Sequence, residues 1–207
     1  MYTEIVTLAV MFGCVPCIIH CWRYRGKWST AAFFVGGFVF GVVRENIIAL
    51  IPNMYTYPGY PLYIGAAPLM MGFGWSASFY ASLCFAERVA EAFTPSLAGS
   101  AWEIPLLTGI IAGALSVVVE VPAGAPETLW WIWPPEAIKV FYEMPAIVPL
   151  GWAGAAFFFV LLFRWTMKRG ETARNAIIFI LLAIVVIVIH LVYTLGVRQV
   201  ISVVLGR

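Results

Sequence analysis

GGFVFGVVRENIIALI, residues 36–51, is apolar along most of its length and yet carries Arg44, Glu45 and Asn46 side by side. A stretch of this kind reads as a membrane-spanning helix. Ionisable groups inside such helices are costly, rare and usually functional, so Glu45 is the first candidate for chemistry. The rest of the chain supports the membrane reading, with 63% hydrophobic and only 11% charged residues among 207. Such a composition excludes an ordinary soluble domain and gives an all-α integral membrane protein. The expected architecture is a bundle of about six helices, six or seven, forming one domain over residues 1–207. A net charge of +2, scattered along the chain, excludes nucleic acid as a partner.

Apolar runs long enough to cross the hydrocarbon are predicted at 4–22, 29–51, 61–85, 101–121, 146–163 and 176–198. The last run continues toward Val204, which allows a longer, tilted or broken sixth helix. The first has neither a cleavage pattern nor a basic leader and is read as a retained helix. Arg23, Arg25 and Lys27 fall in the first connection, Arg88 in the third, and Arg164, Lys168, Arg169 and Arg174 in the fifth. By the positive-inside rule these connections are cytoplasmic and both termini lie outside, although Arg198 and Arg207 run against the pattern. The expected location is a bacterial or archaeal cell membrane.

This topology brings distant acids to one level. Glu45 lies about six residues before the end of an outward-running span, roughly 9 Å below the boundary at the helical rise. Glu120 ends the fourth span, which runs the same way, and His190 sits late in the sixth. The two outer connections, IPNMYTYPGY and PAGAPETLWWIWPPEAIKVFYEMP, hold Trp130, Trp131, Trp133 and Tyr142 among several prolines. Prolines stiffen a chain while blocking a continuous helix. The fourth connection, the second of these, reads as an interfacial aromatic belt, as a lid over a cavity for an apolar substrate, or as both. Glu45 could instead be paired structurally with Arg44, although adjacent helical residues do not face each other. His190 could equally be a packed, hydrogen-bonded histidine. Glu103 starts a helix, where an acid suits the dipole, and receives no catalytic role.

CVPCIIHC, residues 14–21, suggests a metal cluster at first sight, but one helix cannot surround a metal and no second ligand set exists, so no metal site is assigned. Gly37 with Gly41, and Gly109 with Gly113, are small-xxx-small patterns that let helices approach closely. No Walker loop, dinucleotide fingerprint, HExxH or serine triad signature is present, and no cofactor is expected.

A carboxyl held in apolar surroundings keeps its proton near neutrality and can act as an acid. Given an isoprenoid, it would protonate a terminal double bond and create a tertiary carbocation that Tyr and Trp faces stabilise. A second carboxylate could position water or remove a proton afterwards.

RENIIALIPNMYTYPGYPLYIGAAPLMMGFGW, residues 44–75, resembles the carotenoid biosynthesis family of membrane hydratases, with its helix glutamate, Tyr-x-Tyr turn and Pro-Leu helix start ending in Trp. VVVEVPAGAPETLWWIWPPEAIKVFYEMPAIVPLGW, residues 117–152, is similar to that family's acid-x-Pro helix end, Trp-x-Trp and Gly-Trp. Matching positions are Glu45, Tyr55, Tyr57, Pro68, Trp75, Glu120, Pro122, Trp131, Trp133, Tyr142, Pro145, Gly151 and Trp152. The family usually has Asp at the position of Glu120 and an Asn before the Gly-Trp. The resemblance implies addition of water across the 1,2 double bond of an acyclic carotenoid end, with a polyprenoid or carotenoid lipid as substrate. Under this reading Glu45 donates the proton and Glu120 is its partner. Tyr55, Tyr57, Trp75, Trp131, Trp133, Tyr142, Trp152 and His190 then line the substrate site. A membrane terpene or carotenoid cyclase would use the same acid while excluding water. PPE at 134–136 is similar to a motif of membrane lycopene cyclases. The third reading is a non-catalytic subunit, and a homo-oligomer or a larger membrane complex stays open. A transporter is disfavoured because no inverted repeat is visible.

Overall fold

The computed structural model describes residues 2–52, 54–93, 101–123, 130–135, 137–141 and 144–204. Among these, six helices are long and apolar enough to cross a membrane: α1 (Tyr2–Arg25), α2 (Lys27–Ala49), α3 (Leu69–Phe93), α4 (Glu103–Ala123), α5 (Ile147–Met167) and α6 (Ala173–Val204). The protein is an all-α membrane bundle, as its hydropathy predicts. Two short hairpins sit in the connections, β1 (Tyr63–Ile64) with β2 (Ala67–Pro68), and β3 (Lys139–Phe141) with β4 (Met144–Pro145).

The third span differs from expectation at both ends. The third span was predicted to begin at residue 61, but residues 63–68 fold back as the β1–β2 hairpin and the helix starts at Leu69. Gly65 turns this hairpin at a φ of +65°, a conformation costly for residues with a Cβ. Pro68 has no amide proton to donate and restricts the residue before it, so the helix begins after it. At its other end α3 runs on to Phe93, through Glu87, Arg88 and Glu91. A hydropathy window stops at those charges, whereas a helix can carry them once it reaches the interface. The sixth helix is continuous for 32 residues.

Helices α2 to α6 close a ring in which each packs on its sequence neighbour and α6 returns to α2, while α1 lies outside against α3 and α2. Glycines set the closest approaches. A Cβ on Gly37 would meet the Ser76 backbone at 3.0 Å, and one on Gly41 would meet the Met71 carbonyl at 2.7 Å. Gly109 and Gly113 do the same on α4, at 2.8 and 2.9 Å from the Ala153 and Pro149 carbonyls of α5. Without a hydrophobic drive between helices in lipid, such close packing is a principal source of cohesion. Below the site, Phe33, Phe40, Phe79, Phe159 and Phe179 are fully buried and meet ring to ring.

Candidate functional site

Glu45 faces the ring interior one turn beyond Gly41. The missing side chain at Gly41 admits Trp75 of α3, whose Cδ1 lies 2.9 Å from where a Cβ would stand. Trp75 then donates Nε1–H to Glu45 Oε1 at 2.7 Å. The α2–α3 connection supplies the other face. Tyr55 and Tyr57 flank Thr56, and alternate residues of an extended segment point the same way. Both phenols donate to Glu45 Oε2, at 2.5 and 2.6 Å. Burial, and then the Glu45 charge, push the Tyr57 phenol well above its ordinary pKa, so it stays a donor.

Arg44 completes the set. The helical-neighbour rule gives it no direct line to Glu45, yet the long guanidinium curls back and its Nη1 pairs with Glu45 Oε1 while donating to the Tyr55 hydroxyl at 2.7 Å. Its Cζ lies 4.9 Å from the Trp75 ring centre. Glu45, 0% exposed, thus receives Arg44, Tyr55, Tyr57 and Trp75. Four donors fill the accepting capacity of a carboxylate.

Glu120 is also buried, but its surroundings differ. Gly109 and Gly113 draw α5 against α4, and Trp152 donates Nε1–H to Glu120 Oε1 at 3.0 Å. Glu120 Oε2 is buried without a hydrogen-bond partner among the described residues. The two indoles that serve the two acids, Trp75 and Trp152, meet at 5.0 Å between ring centres.

The outer connections form a roof. Thr56 and Ile132 pair as an isolated antiparallel bridge, with N–H···O distances of 3.0 and 2.8 Å. This bridge holds Tyr-x-Tyr against Trp-x-Trp, and Tyr55 meets Trp133 at 4.6 Å between ring centres. Trp131 is 5% exposed, so it is a buried wall and not an interfacial belt residue. Trp131 Nε1, Trp133 Nε1 and Arg44 Nε are buried donors without partners among the described residues.

These groups enclose a chamber of about 40 Å³, lined by Arg44, Glu45, Tyr55, Trp75, Glu120, Trp131, Trp133 and Trp152 among others. That is room for about one water molecule and not for a lipid. A larger, almost wholly apolar groove of about 420 Å³ opens between α1, α3 and α4, and Met71, Trp75, Trp131 and Trp152 wall both spaces. A third space of about 450 Å³, beside Pro134, Ile138 and Arg198, shares Met54, Trp133 and Ile147 with the chamber.

The structure therefore brings Glu45, Glu120, Tyr55, Trp75, Trp131, Trp133 and Trp152 around one space, with Tyr57 bound to Glu45 behind it. His190 stands apart. Its Nε2 pairs with the Gly151 carbonyl at 2.9 Å, tying α6 to α5 just before Trp152, and it does not line the chamber. Tyr142 and Glu136 lie outside the described residues. Cys14 and Cys21 pack in the core, and His20 Nδ1 bonds the Tyr80 hydroxyl at 2.8 Å. Arg44, Met54, Met71 and Thr194 line the chamber without having been assigned to it from sequence. The Arg44–Glu45 pairing raised from sequence as the structural alternative is present, and it places Arg44 at the chamber.

Fold and site define a polytopic membrane protein with a buried, paired-acid centre walled by aromatic rings. Residues 5–207 match the family model described as carotenoid biosynthesis protein, and the chain belongs to that family. Its role is in carotenoid metabolism. No curated protein and no solved structure matches the chain significantly.

Proposed function

We propose that the protein hydrates a terminal C=C of a polyprenoid or carotenoid end group, with the two acids in the opposite roles to those their sequence positions suggest. The observation that carries this reading is the contrast between the saturated Glu45 and the open Oε2 of Glu120 in the same water-sized chamber. A carboxylate that accepts four hydrogen bonds, one from a guanidinium, has no proton to give. Glu120, buried with one indole donor, avoids an under-solvated charge by keeping its proton. Glu120 is then the acid, and Glu45 a fixed negative charge beside the cation that forms.

In this scheme the polyprenyl chain lies in the apolar groove and its end group reaches the chamber past Met71, a flexible side chain able to yield. The Glu120 proton adds to the less substituted carbon of the double bond, leaving a tertiary cation at the other. The π faces of Trp75, Trp131 and Trp152 stabilise it. A water held by Glu120 Oε2 and the free indole N–H groups adds its oxygen to that cation. Its surplus proton returns to Glu120, so the sum is addition of one water.

Pigment analysis in a host that makes an acyclic carotenoid tests this. The wild-type chain is expected to yield a tertiary alcohol heavier than the precursor by one water. Glu120→Gln, nearly isosteric, is expected to abolish the product while the protein accumulates normally. Product formation by Glu120→Gln would overturn the role assignment. A ring-bearing product would favour cyclisation, and an unchanged profile with wild-type protein would favour a non-catalytic subunit.

A further inference from the structure

The opposite end of the bundle carries a cavity that the paired acids do not use. About 520 Å³ in volume, it is lined by Arg25 at the end of α1, Ser29 of α2, Ala101 and Trp102 before α4, and Leu161, Arg164, Trp165 and Lys168 around the end of α5. Three cations thus converge from α1, α5 and the turn after it. Two of them share Glu87 of α3, which pairs with Arg25 through Oε2 and accepts from Arg164 Nη1 through Oε1 at 3.4 Å. Glu171 is spent elsewhere, its Oε1 accepting the amides of Trp28 and Ser29 at the start of α2, at 2.5 and 3.2 Å. Among the described residues, Glu87 is the carboxylate within ion-pair distance of these cations, and Lys168 is exposed with no carboxylate within that distance. A guanidinium has five N–H donors in a fork, so pairing with Glu87 does not exhaust Arg25.

The rim shows what kind of anion fits. Trp102 and Trp165 are 62% and 50% exposed and border the cavity beside Leu161, and the Arg169 guanidinium lies 3.9 Å from the Trp165 ring centre, so the rim is amphipathic. Indoles in such positions sit at headgroup level. Basic pockets between transmembrane helices bind phosphate headgroups, and Arg matches phosphate oxygens in a bidentate manner. We infer that this cavity is a binding site for the phosphodiester headgroup of an anionic phospholipid. Arg25, Arg164 and Lys168 hold the phosphate, and Trp102 and Trp165 flank the first acyl carbons. The site is independent of the chemistry proposed for the other end.

Native mass spectrometry of the detergent-purified chain provides the test, with phosphatidylglycerol, phosphatidylcholine and inorganic phosphate as separate probes. Selective retention of phosphatidylglycerol is expected. Lys168→Gln, at an exposed position that leaves the bundle intact, should weaken it about fivefold, the effect of one interfacial charge. Arg164→Gln should weaken it at least as much. Arg174→Gln, exposed at the same end but outside the cavity, should leave retention unchanged. Equal retention of both lipids, or equal loss in Arg174→Gln and Lys168→Gln, would overturn the site as a diffuse surface effect. Competition by inorganic phosphate alone at matching concentration would overturn the lipid assignment and leave a soluble phosphate as the ligand.

Discussion

The two halves of α2 solve different problems with the same backbone. The part up to Phe40 presents Phe33 and Phe40 to a cluster of Phe79, Phe159 and Phe179, with ring centres 5.1–5.3 Å apart in the Phe33–Phe159, Phe40–Phe79 and Phe159–Phe179 pairs. Its last turns present Arg44 and Glu45 to Tyr55, Tyr57 and Trp75 through directed hydrogen bonds. Filling tolerates exchange of one apolar shape for another of similar volume, whereas a buried ion tolerates no loss of its partner. The comparison teaches that the aromatic half can drift in sequence without changing the fold, while the polar half is fixed by chemistry.

The strongest way to break the contrast is Arg44→Met. It leaves Glu45 buried with three neutral donors and no cation, and should cost about 3–5 kcal/mol, read as loss of folded protein in detergent titration. Restoration by Arg44→Met with Glu45→Gln would show that the stranded charge, not lost packing, is the cause. In the aromatic cluster that packs on α2, Phe159→Ala on α5 should cost about 3 kcal/mol by opening a cavity, whereas Phe159→Leu should cost under about 1.5 kcal/mol. A Phe159→Leu as damaging as Arg44→Met would erase the distinction. The finest test is Tyr57→Phe, which removes one donor to a charged acceptor and should cost about 2 kcal/mol. If Tyr57→Phe proves neutral, the roof does not restrain Glu45.

Glu45 and Glu120 show how far the sequence carries the site. Both were assignable to one end of the bundle, because hydropathy gives the span boundaries and the Lys and Arg of alternate connections give the direction of each span. Their difference was not readable. Glu45 looked like the isolated acid because it lies deeper in an apolar run, and Glu120 looked like the wetter one because it ends a helix. The fold buries both, covering Glu120 with Trp152 and the Trp-x-Trp roof, and it delivers four donors to Glu45. Three of those donors, Tyr55, Tyr57 and Trp75, lie 10, 12 and 30 residues away along the chain.

By itself the sequence determined the six spans, the level of the two acids and the glycine contacts, since apolar length, charge placement and i to i+4 spacing are local properties. Only tertiary structure decided the start of the third helix, the curl of Arg44 onto Glu45, the water-sized chamber and the unpartnered oxygen of Glu120. Hydrogen-bond satisfaction depends on which distant groups arrive with the right direction, and no local periodicity encodes that.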